Sequence, residues 1–258
     1  MLLDLKRPWR DFAYCSIDFE ATSVDPMTCE PVEVSCVRFN ADGNIVDRFT
    51  SLLRTKDPIP AESTKVHGIT DEMVKDAPTL EEVAVNLAAL ADNAVPLSFN
   101  RKYDRTILHR YVTGSDVTLF DPAQPWLCTF AMAWSADRWE PGAGRHKLTA
   151  CCERRGIRVP GAHRAEADAI MSGMLFFSMM TGCKPETSMW TLIERVDTRE
   201  AEREVEHQKW RKKCLADDRL IWRQYACVLL ADPRLTLVQA AEAADEMLAL
   251  EKGRFLGL

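Results

Sequence analysis

Asp18 and Glu20 lie two positions apart in an otherwise apolar segment that contains Phe12, Tyr14 and Ile17. Side chains two apart on a strand emerge on the same face, so the two carboxylates lie close together and repel each other. In isolation, an Asp-x-Glu pair is weak evidence for a site, because acids are frequent and such a pair also occurs by chance on a solvated strand face. The apolar surroundings favour a half-buried pair, which needs compensation, and a divalent cation provides it.

A second polar pair, Asn100 and Asp104, follows the apolar residues 95–99. A spacing of four places the two side chains one above the other in the first turn of the next helix. The same spacing would arise if Asn100 were only an N-cap and Asp104 only a first-turn acid that the helix dipole favours. The spacing alone therefore leaves both interpretations open.

The third pair is His163 and Asp168, at the start of a long apolar stretch. An unpaired charge buried at Asp168 would cost on the order of several kcal/mol, so this acid needs a cation or a nearby opening. A lone His163 is by default a surface or capping histidine. The three pairs together are more specific evidence for one functional site than any pair alone. Each falls where the predicted strands and helices would bring it to the same edge of one sheet.

The elements that position these pairs follow from the apolar patterns. Strands are predicted over residues 12–20, 31–40, 44–53, 95–99 and 126–128, and helices over 79–91, 101–111, 146–155 and 164–181. The turn at Asp42 and Gly43 joins the second and third strands in a hairpin, and Thr79 with Glu82 forms a capping box. This order predicts an α/β fold with a mixed five-stranded sheet flanked by helices.

The sequence changes character after residue 183. We predict a first domain over residues 1–183, which contains all three polar pairs, and a helical C-terminal extension over 184–258. The extension is expected to hold a charged helix from 197 to about 230 and a final helix over about 237–251. Its basic run at 209–213 can contact nucleic acid, while its apolar positions at 220–229 are expected to pack on the first domain or on a partner.

Composition limits the class of protein. The chain has 258 residues, 47% of them hydrophobic and 28% charged, with a formal net charge of −6. This acidic balance argues against a protein that grips long duplex DNA through a uniformly basic surface. Residues 98–164 nevertheless hold 11 basic and 6 acidic side chains, a local excess that either faces phosphates or forms solvated helix surfaces.

Membrane and redox signals point to the cytoplasm. No segment is long and apolar enough to span a membrane, so no membrane association is expected. The nine cysteines include no CxxC pair, and Cys151 and Cys152 are adjacent. Reduced thiols in a reducing compartment are therefore expected rather than a disulfide framework.

Taken together, the polar pairs resemble the motifs of the DEDDh, or DnaQ-like, 3'–5' exonucleases of the ribonuclease H-like superfamily. The first motif reads IDFEAT at residues 17–22, the second NRKYD at 100–104 and the third HRAEAD at 163–168. The segment KVHGIT at 65–70 is similar to a further stretch of the family. The likeness covers about residues 12–182.

The resemblance implies hydrolysis from 3' ends with release of nucleoside 5'-monophosphates. Two divalent cations, Mg²⁺ with Mn²⁺ as a substitute, would be held by Asp18, Glu20, Asp104 and Asp168, which supply the oxygen ligands that such ions prefer. His163 would take the proton from the attacking water. The substrate-binding residues implied by the family are Phe19, Ala21, Val66, His67, Asn100 and Tyr103.

Two positions depart from the family pattern. Relatives often have histidine where this chain has Phe99, and an acid where it has Cys128. Neither position binds metal in the family, so catalysis is still expected. The two departures leave the fine substrate preference undecided.

The motifs leave the sugar and the biological context undecided. Single-stranded DNA 3' ends are the favoured substrate, and a 3'–5' exoribonuclease is the alternative because the motifs handle phosphate and metal. A different class is an inactive exonuclease-like module that binds a polymerase through its C-terminal helices, which can equally serve self-association. An intact Asp168 within an apolar helix speaks against this last alternative.

Overall fold

The computed structural model describes residues 3–112, 117, 119–120, 123–137 and 146–230, with side chains beyond residue 209 described only at Lys212. The chain divides into two compact units, Met1–Glu200 and Ala201–Leu258. The first unit contains the whole sheet and every predicted site residue. No helix in the described ranges is long and apolar enough to cross a bilayer.

A five-stranded mixed sheet forms the centre of the first unit, in the order β3-β2-β1-β4-β5. The strands are β1 (Ala13–Ala21), β2 (Pro31–Phe39), β3 (Ile45–Leu52), β4 (Ala94–Ser98) and β5 (Leu127–Cys128). β1 pairs antiparallel with β2 and parallel with β4. The predicted α/β fold with its hairpin start is confirmed.

Helices flank the sheet. They are α1 (Ala61–His67), α2 (Asp71–Val74), α3 (Leu80–Ala91), α4 (Arg101–Val112), α5 (Thr129–Ala136), α6 (Leu148–Glu153), α7 (Ala165–Met180) and α8 (Met189–Leu230). At the start of α3 the predicted capping box is present, since Glu82 N donates to Thr79 Oγ1 and Thr79 N donates to Glu82 Oε2. The sequence patterns miss α1, α2 and α5, short helices that have no side-chain cap at their N-termini. The final helix predicted over 237–251 lies outside the described residues.

The two faces of the sheet bury separate cores. Ile17 and Phe19 of β1 pack in a cluster with residues of α3 and α4. Tyr14 of the same strand packs in a second cluster with residues of α7 and the start of α8. Because successive side chains alternate between faces, this arrangement turns Asp18 and Glu20 toward α7.

Helix α8 begins inside the first unit. Its first turns add Met189, Leu192, Ile193 and Val196 to the core beneath α7. The compact unit therefore extends to Glu200, past the predicted domain end at residue 183. The division of the chain at 183 into catalytic domain and extension stays a prediction.

Cys15 of β1 and Cys36 of β2 form a disulfide. The prediction of reduced thiols is wrong for this pair, because the antiparallel register brings both side chains to the same face of adjacent strands, with Cα atoms 6.3 Å apart. Sequence spacing carries no sign of that register. The free cysteines among the described residues are Cys29, Cys128, Cys151, Cys152 and Cys183.

Candidate active site

Three carboxylates converge near the C-terminal end of β1. Asp18 and Glu20 project from the strand, and Asp168 comes from the first turn of α7. One carboxylate oxygen from each residue lies within 4.8 Å of those of the other two. All three side chains are half-buried. An all-oxygen set of this size suits a hard divalent cation.

Asp104 is the fourth acid of the predicted set. It lies in the first turn of α4, directly after β4, and is 3% exposed. Because β1 and β4 are parallel neighbours, their C-terminal ends meet at one edge of the sheet. Asp104 is not part of the close group of three, although it lies near enough to interact with it electrostatically.

Burial dominates the electrostatics of the four acids. It is the largest cause of the raised pKa of Glu20, about 8, and of Asp104, about 7, and it also raises the pKa of Asp18 and Asp168 above their usual range. Repulsion among the carboxylates adds to the rise at Asp18 and Glu20. A bound cation would relieve both effects by stabilising the ionised forms.

His163 lies beside Asp168 through the local backbone. Its main-chain N–H donates to Asp168 Oδ1 at 3.3 Å, and its φ of 66° is left-handed, a conformation uncommon outside glycine. The residue is exposed. All five predicted catalytic positions are thus gathered at one end of the sheet, with the histidine at the solvent side.

Val66 and His67 end helix α1. Val66 is 57% exposed, whereas His67 is buried, and its Nδ1 accepts a hydrogen bond from Ile69 N at 3.0 Å. Burial lowers the pKa of His67, which favours a neutral imidazole. Its Nε2 is buried, and the main chain of Ala21 interacts with the ring. The pair therefore offers an exposed apolar side chain beside a buried imidazole.

Tyr103 and Asn100 lie at the start of α4. The Tyr103 hydroxyl donates to Ser23 O at 2.6 Å, and its half-buried ring packs against the core that contains Phe19. Asn100 is exposed, and its main-chain oxygen accepts from the N–H groups of Tyr103 and Asp104. Tyr103 thus has a packing role as well as the predicted binding role.

Phe19 and Ala21 are buried on the strand face opposite Asp18 and Glu20. Their side chains belong to the core with α3 and α4. A substrate on the acidic face would therefore meet these two residues through the main chain of β1.

The two departures from the family pattern have packing roles. The Phe99 main-chain oxygen accepts from Phe130 N at 2.9 Å and from Cys128 Sγ at 3.4 Å. The Phe99 and Phe130 rings lie 5.3 Å apart between centroids. These contacts join the end of β4 to the start of α5.

Sequence reasoning does not identify Glu33 and Arg164, which form an ion pair at this end of the sheet. Glu33 is 1% exposed on β2, opposite Glu20 in the strand register. The only sequence signal is an acid within the apolar strand PVEVSCVRF. Its partner lies 131 positions away, so no local spacing could indicate the pair.

Comparison with known proteins adds to this geometry. The sequence matches the model of the RNase_T family, described as exonuclease, over residues 15–176. The PolC-type DNA polymerase III of Thermotoga petrophila is 28% identical over 160 residues, which are 62% of this chain and only 11% of the polymerase. The DNA polymerase III subunit epsilon of Aquifex aeolicus is 27% identical over 170 residues, covering 66% of this chain and 81% of that subunit.

A solved structure of exonuclease X in complex with 5' overhanging duplex DNA is also similar. Its TM-score is 0.52 at 25% identity, and the match covers 68% of this chain and 97% of that chain. The matched region of the family model contains α4 and most of β1 and α7, and so all four acids and His163.

Proposed function

Because this chain belongs to the RNase_T exonuclease family of DnaQ-like enzymes, we propose that it is a two-metal-ion 3'–5' exonuclease acting on single-stranded DNA. Family membership agrees with the DEDDh resemblance of its three motifs. The proposal adds the direction of attack, the metal ions and the substrate to the family assignment.

The close group of Asp18, Glu20 and Asp168 carries the proposal. Half-buried carboxylates within 4.8 Å of one another are costly to ionise, and burial holds their pKa values high. Divalent cations, Mg²⁺ or in its place Mn²⁺, fit this donor set because they prefer oxygen ligands. When bound, two such cations would polarise the scissile phosphate and stabilise charge on the leaving 3'-oxygen.

The residues of the chain have distinct proposed roles. Asp18, Glu20 and Asp168 would hold the cations, and the buried Asp104 would contribute a fourth carboxylate to the same site. His163 takes the proton from the attacking water, since it is exposed and adjacent to Asp168. The product is a nucleoside 5'-monophosphate.

The terminal nucleotide is proposed to lie against the exposed Val66, with His67 and the Tyr103 ring beside it. Apolar and aromatic contacts suit any base, because every base offers a face for stacking. Sequence preference is therefore expected to be weak. Asn100 and the main chain at Phe19 and Ala21 complete the proposed contacts.

A polymerase is the proposed protein partner. The support is the similarity to a DNA polymerase III epsilon subunit and to PolC-type polymerases. The role of the chain would then be proofreading or repair.

A degradation assay tests the proposed function. A 5'-labelled DNA oligonucleotide should shorten in single-nucleotide steps in Mg²⁺ and stay intact in EDTA, while a copy with a non-hydrolysable 3'-terminal linkage should resist. A matched RNA oligonucleotide compares the two sugars, and faster loss of the RNA would make the enzyme an exoribonuclease. Cleavage unaffected by EDTA, or shortening from the 5' end, would overturn the proposal.

A further inference from the structure

Glu33 and Arg164 form a forked ion pair at the end of the sheet that carries the acids. Arg164 Nε lies 3.1 Å from Glu33 Oε1 and 3.0 Å from Oε2, and a terminal guanidinium nitrogen also contacts Oε1. The Glu33 side chain is 2% exposed and that of Arg164 46%. One partner is thus fixed inside the sheet, while the other reaches it from the segment before α7.

Glu33 also caps helix α7. Its Oε2 accepts the N–H of Ala165 at 2.9 Å, and the N-cap residue Arg164 provides no side-chain cap of its own. A carboxylate at this position satisfies a free N–H and interacts favourably with the positive end of the helix dipole. Strand β2 therefore sets where the 16-residue helix α7 begins.

The residues that Glu33 holds lie between the two catalytic positions of the third motif. Asp168 N–H donates to Arg164 O at 3.0 Å, while Asp168 Oδ1 accepts from His163 N at 3.3 Å. His163, Arg164 and Asp168 thus form one hydrogen-bonded turn. A shift of Arg164 would move both the acid and the histidine.

Glu33 itself is unsuited to hold a cation. Both of its oxygens are engaged by Arg164 and Ala165, and it does not belong to the close group of three acids. Its place opposite Glu20 in the register of β1 and β2 ties it to the other half of the site. It therefore connects the strand that carries two acids with the helix that carries the third.

We propose that Glu33 and Arg164 are positioning residues, which fix Asp168 and His163 relative to Asp18 and Glu20. This inference rests on the proposed metal-dependent function of the same acids. Some residues orient a metal ligand without binding the metal themselves. Replacing such a residue typically lowers metal affinity or activity by about 10–100-fold. An ion pair that only stabilised the fold would change the melting temperature without that effect.

The matched control is another buried ion-pair cluster. Asp137, at the end of α5, pairs with Arg154 and Arg155 beyond α6, and its side chain is 11% exposed. Asp137→Asn removes a comparable charge interaction from elements that carry none of the four acids. It should lower thermal stability while leaving metal binding unchanged.

The test measures Mn²⁺ binding by calorimetry on the full chain, well below the melting temperature, together with kcat and KM. We expect Glu33→Gln to bind Mn²⁺ about 10–100-fold more weakly and to lose kcat by a similar factor, with KM for the oligonucleotide little changed. Arg164→Lys keeps the positive charge and the Glu33 bond to Ala165, so its loss should be smaller. It also carries the test if Glu33→Gln does not fold.

The outcomes separate this inference from the proposed function. Wild-type Mn²⁺ affinity and kcat in Glu33→Gln or Arg164→Lys, or an equal loss of affinity in Asp137→Asn, would overturn the positioning role alone. A wild-type chain that binds no Mn²⁺ would overturn the proposed metal-dependent function on which the positioning role rests.

Discussion

Gly173 of α7 lies directly against the ring of Phe39 on β2. A Cβ atom at position 173 would lie 2.2 Å from Phe39 Cε2, well inside van der Waals contact. The missing side chain thus permits the close approach of α7 to the sheet. The same helix carries Asp168, which belongs to the close group with Asp18.

Gly173→Ala is expected to destabilise the protein. Alanine gains about 1 kcal/mol of helix propensity over glycine, but overpacking a tight core typically costs about 1–3 kcal/mol, and a 2.2 Å contact lies at the severe end. The cost of overpacking should exceed the gain in helix propensity. The variant should therefore have a lower melting temperature and bind Mn²⁺ more weakly. Gly182→Ala is the control, since nothing lies within 4 Å of its added Cβ. Equal melting temperatures for the two variants would show that α7 can move away from β2 without cost.

Stability of the metal-free protein should fall as the pH rises from about 5 to about 8. Burial raises the pKa of Glu20 to about 8 and of Asp104 to about 7 in the folded state, from 4.5 and 3.8. The folded state then holds more protons than the unfolded state across this window, so the free energy of unfolding decreases with pH. Each kcal/mol lost lowers the melting temperature by roughly 2–4 °C for a chain of this size.

Thermal melts in EDTA and in Mn²⁺ check this linkage. The gain in melting temperature from Mn²⁺ should increase over the same pH window, because the cation binds the ionised acids. A metal-free protein that became more stable between these pH values would contradict the buried, proton-binding carboxylates.

Asp18→Asn should change stability and activity in opposite directions. On folding without metal, Asp18 must either ionise against burial and the neighbouring acids or take up a proton. Asparagine needs neither, so the metal-free variant should melt at a higher temperature than the wild type. Loss of a cation ligand should lower kcat/KM on the order of 1000-fold, equivalent to ~4 kcal/mol of transition-state stabilisation. Melting in EDTA and oligonucleotide degradation in Mg²⁺ measure the two effects. A less stable and fully active variant would contradict both.

Glu200→Ala should destabilise the first unit through Arg101. The Arg101 guanidinium bonds Glu200, Asp197 and the Trp126 main-chain oxygen, with side-chain exposures of 16% for Arg101 and 6% for Glu200. Leaving a buried cation with a missing partner costs up to about 3–5 kcal/mol. Arg101 begins α4, so the site around Asp104 should loosen as well.

The exposed pair of Arg7 and Asp11 provides the comparison for this variant. Its side chains are 54% and 41% exposed, and Asp11→Ala should cost at most about 1 kcal/mol. Urea unfolding of both variants measures the difference. Equal losses would mean that the start of α8 contributes little to the first unit.

Local signals in the sequence account for most of the fold. The capping box at Thr79 predicts the start of α3, and the turn at Asp42 and Gly43 predicts the hairpin of β2 and β3. The spacing of the three polar pairs predicts the residues that meet at the end of β1. Each of these signals lies within a few positions of the feature that it determines.

Features that depend on distant parts of the chain are not predictable in this way. Glu33 meets Arg164 across 131 positions, and Arg101 meets Glu200 across 99. The disulfide between Cys15 and Cys36 depends on the register of two strands. Tertiary packing determines these contacts. Patterns of neighbouring residues in a single sequence give no sign of them.

Anomalous diffraction from crystals soaked in Mn²⁺ with a nucleoside 5'-monophosphate tests the central claim most directly. We predict two manganese peaks about 3.5–4 Å apart beside Asp18, one of them also contacting Glu20 and Asp168. Acids in their present positions without a manganese peak between them would contradict the account.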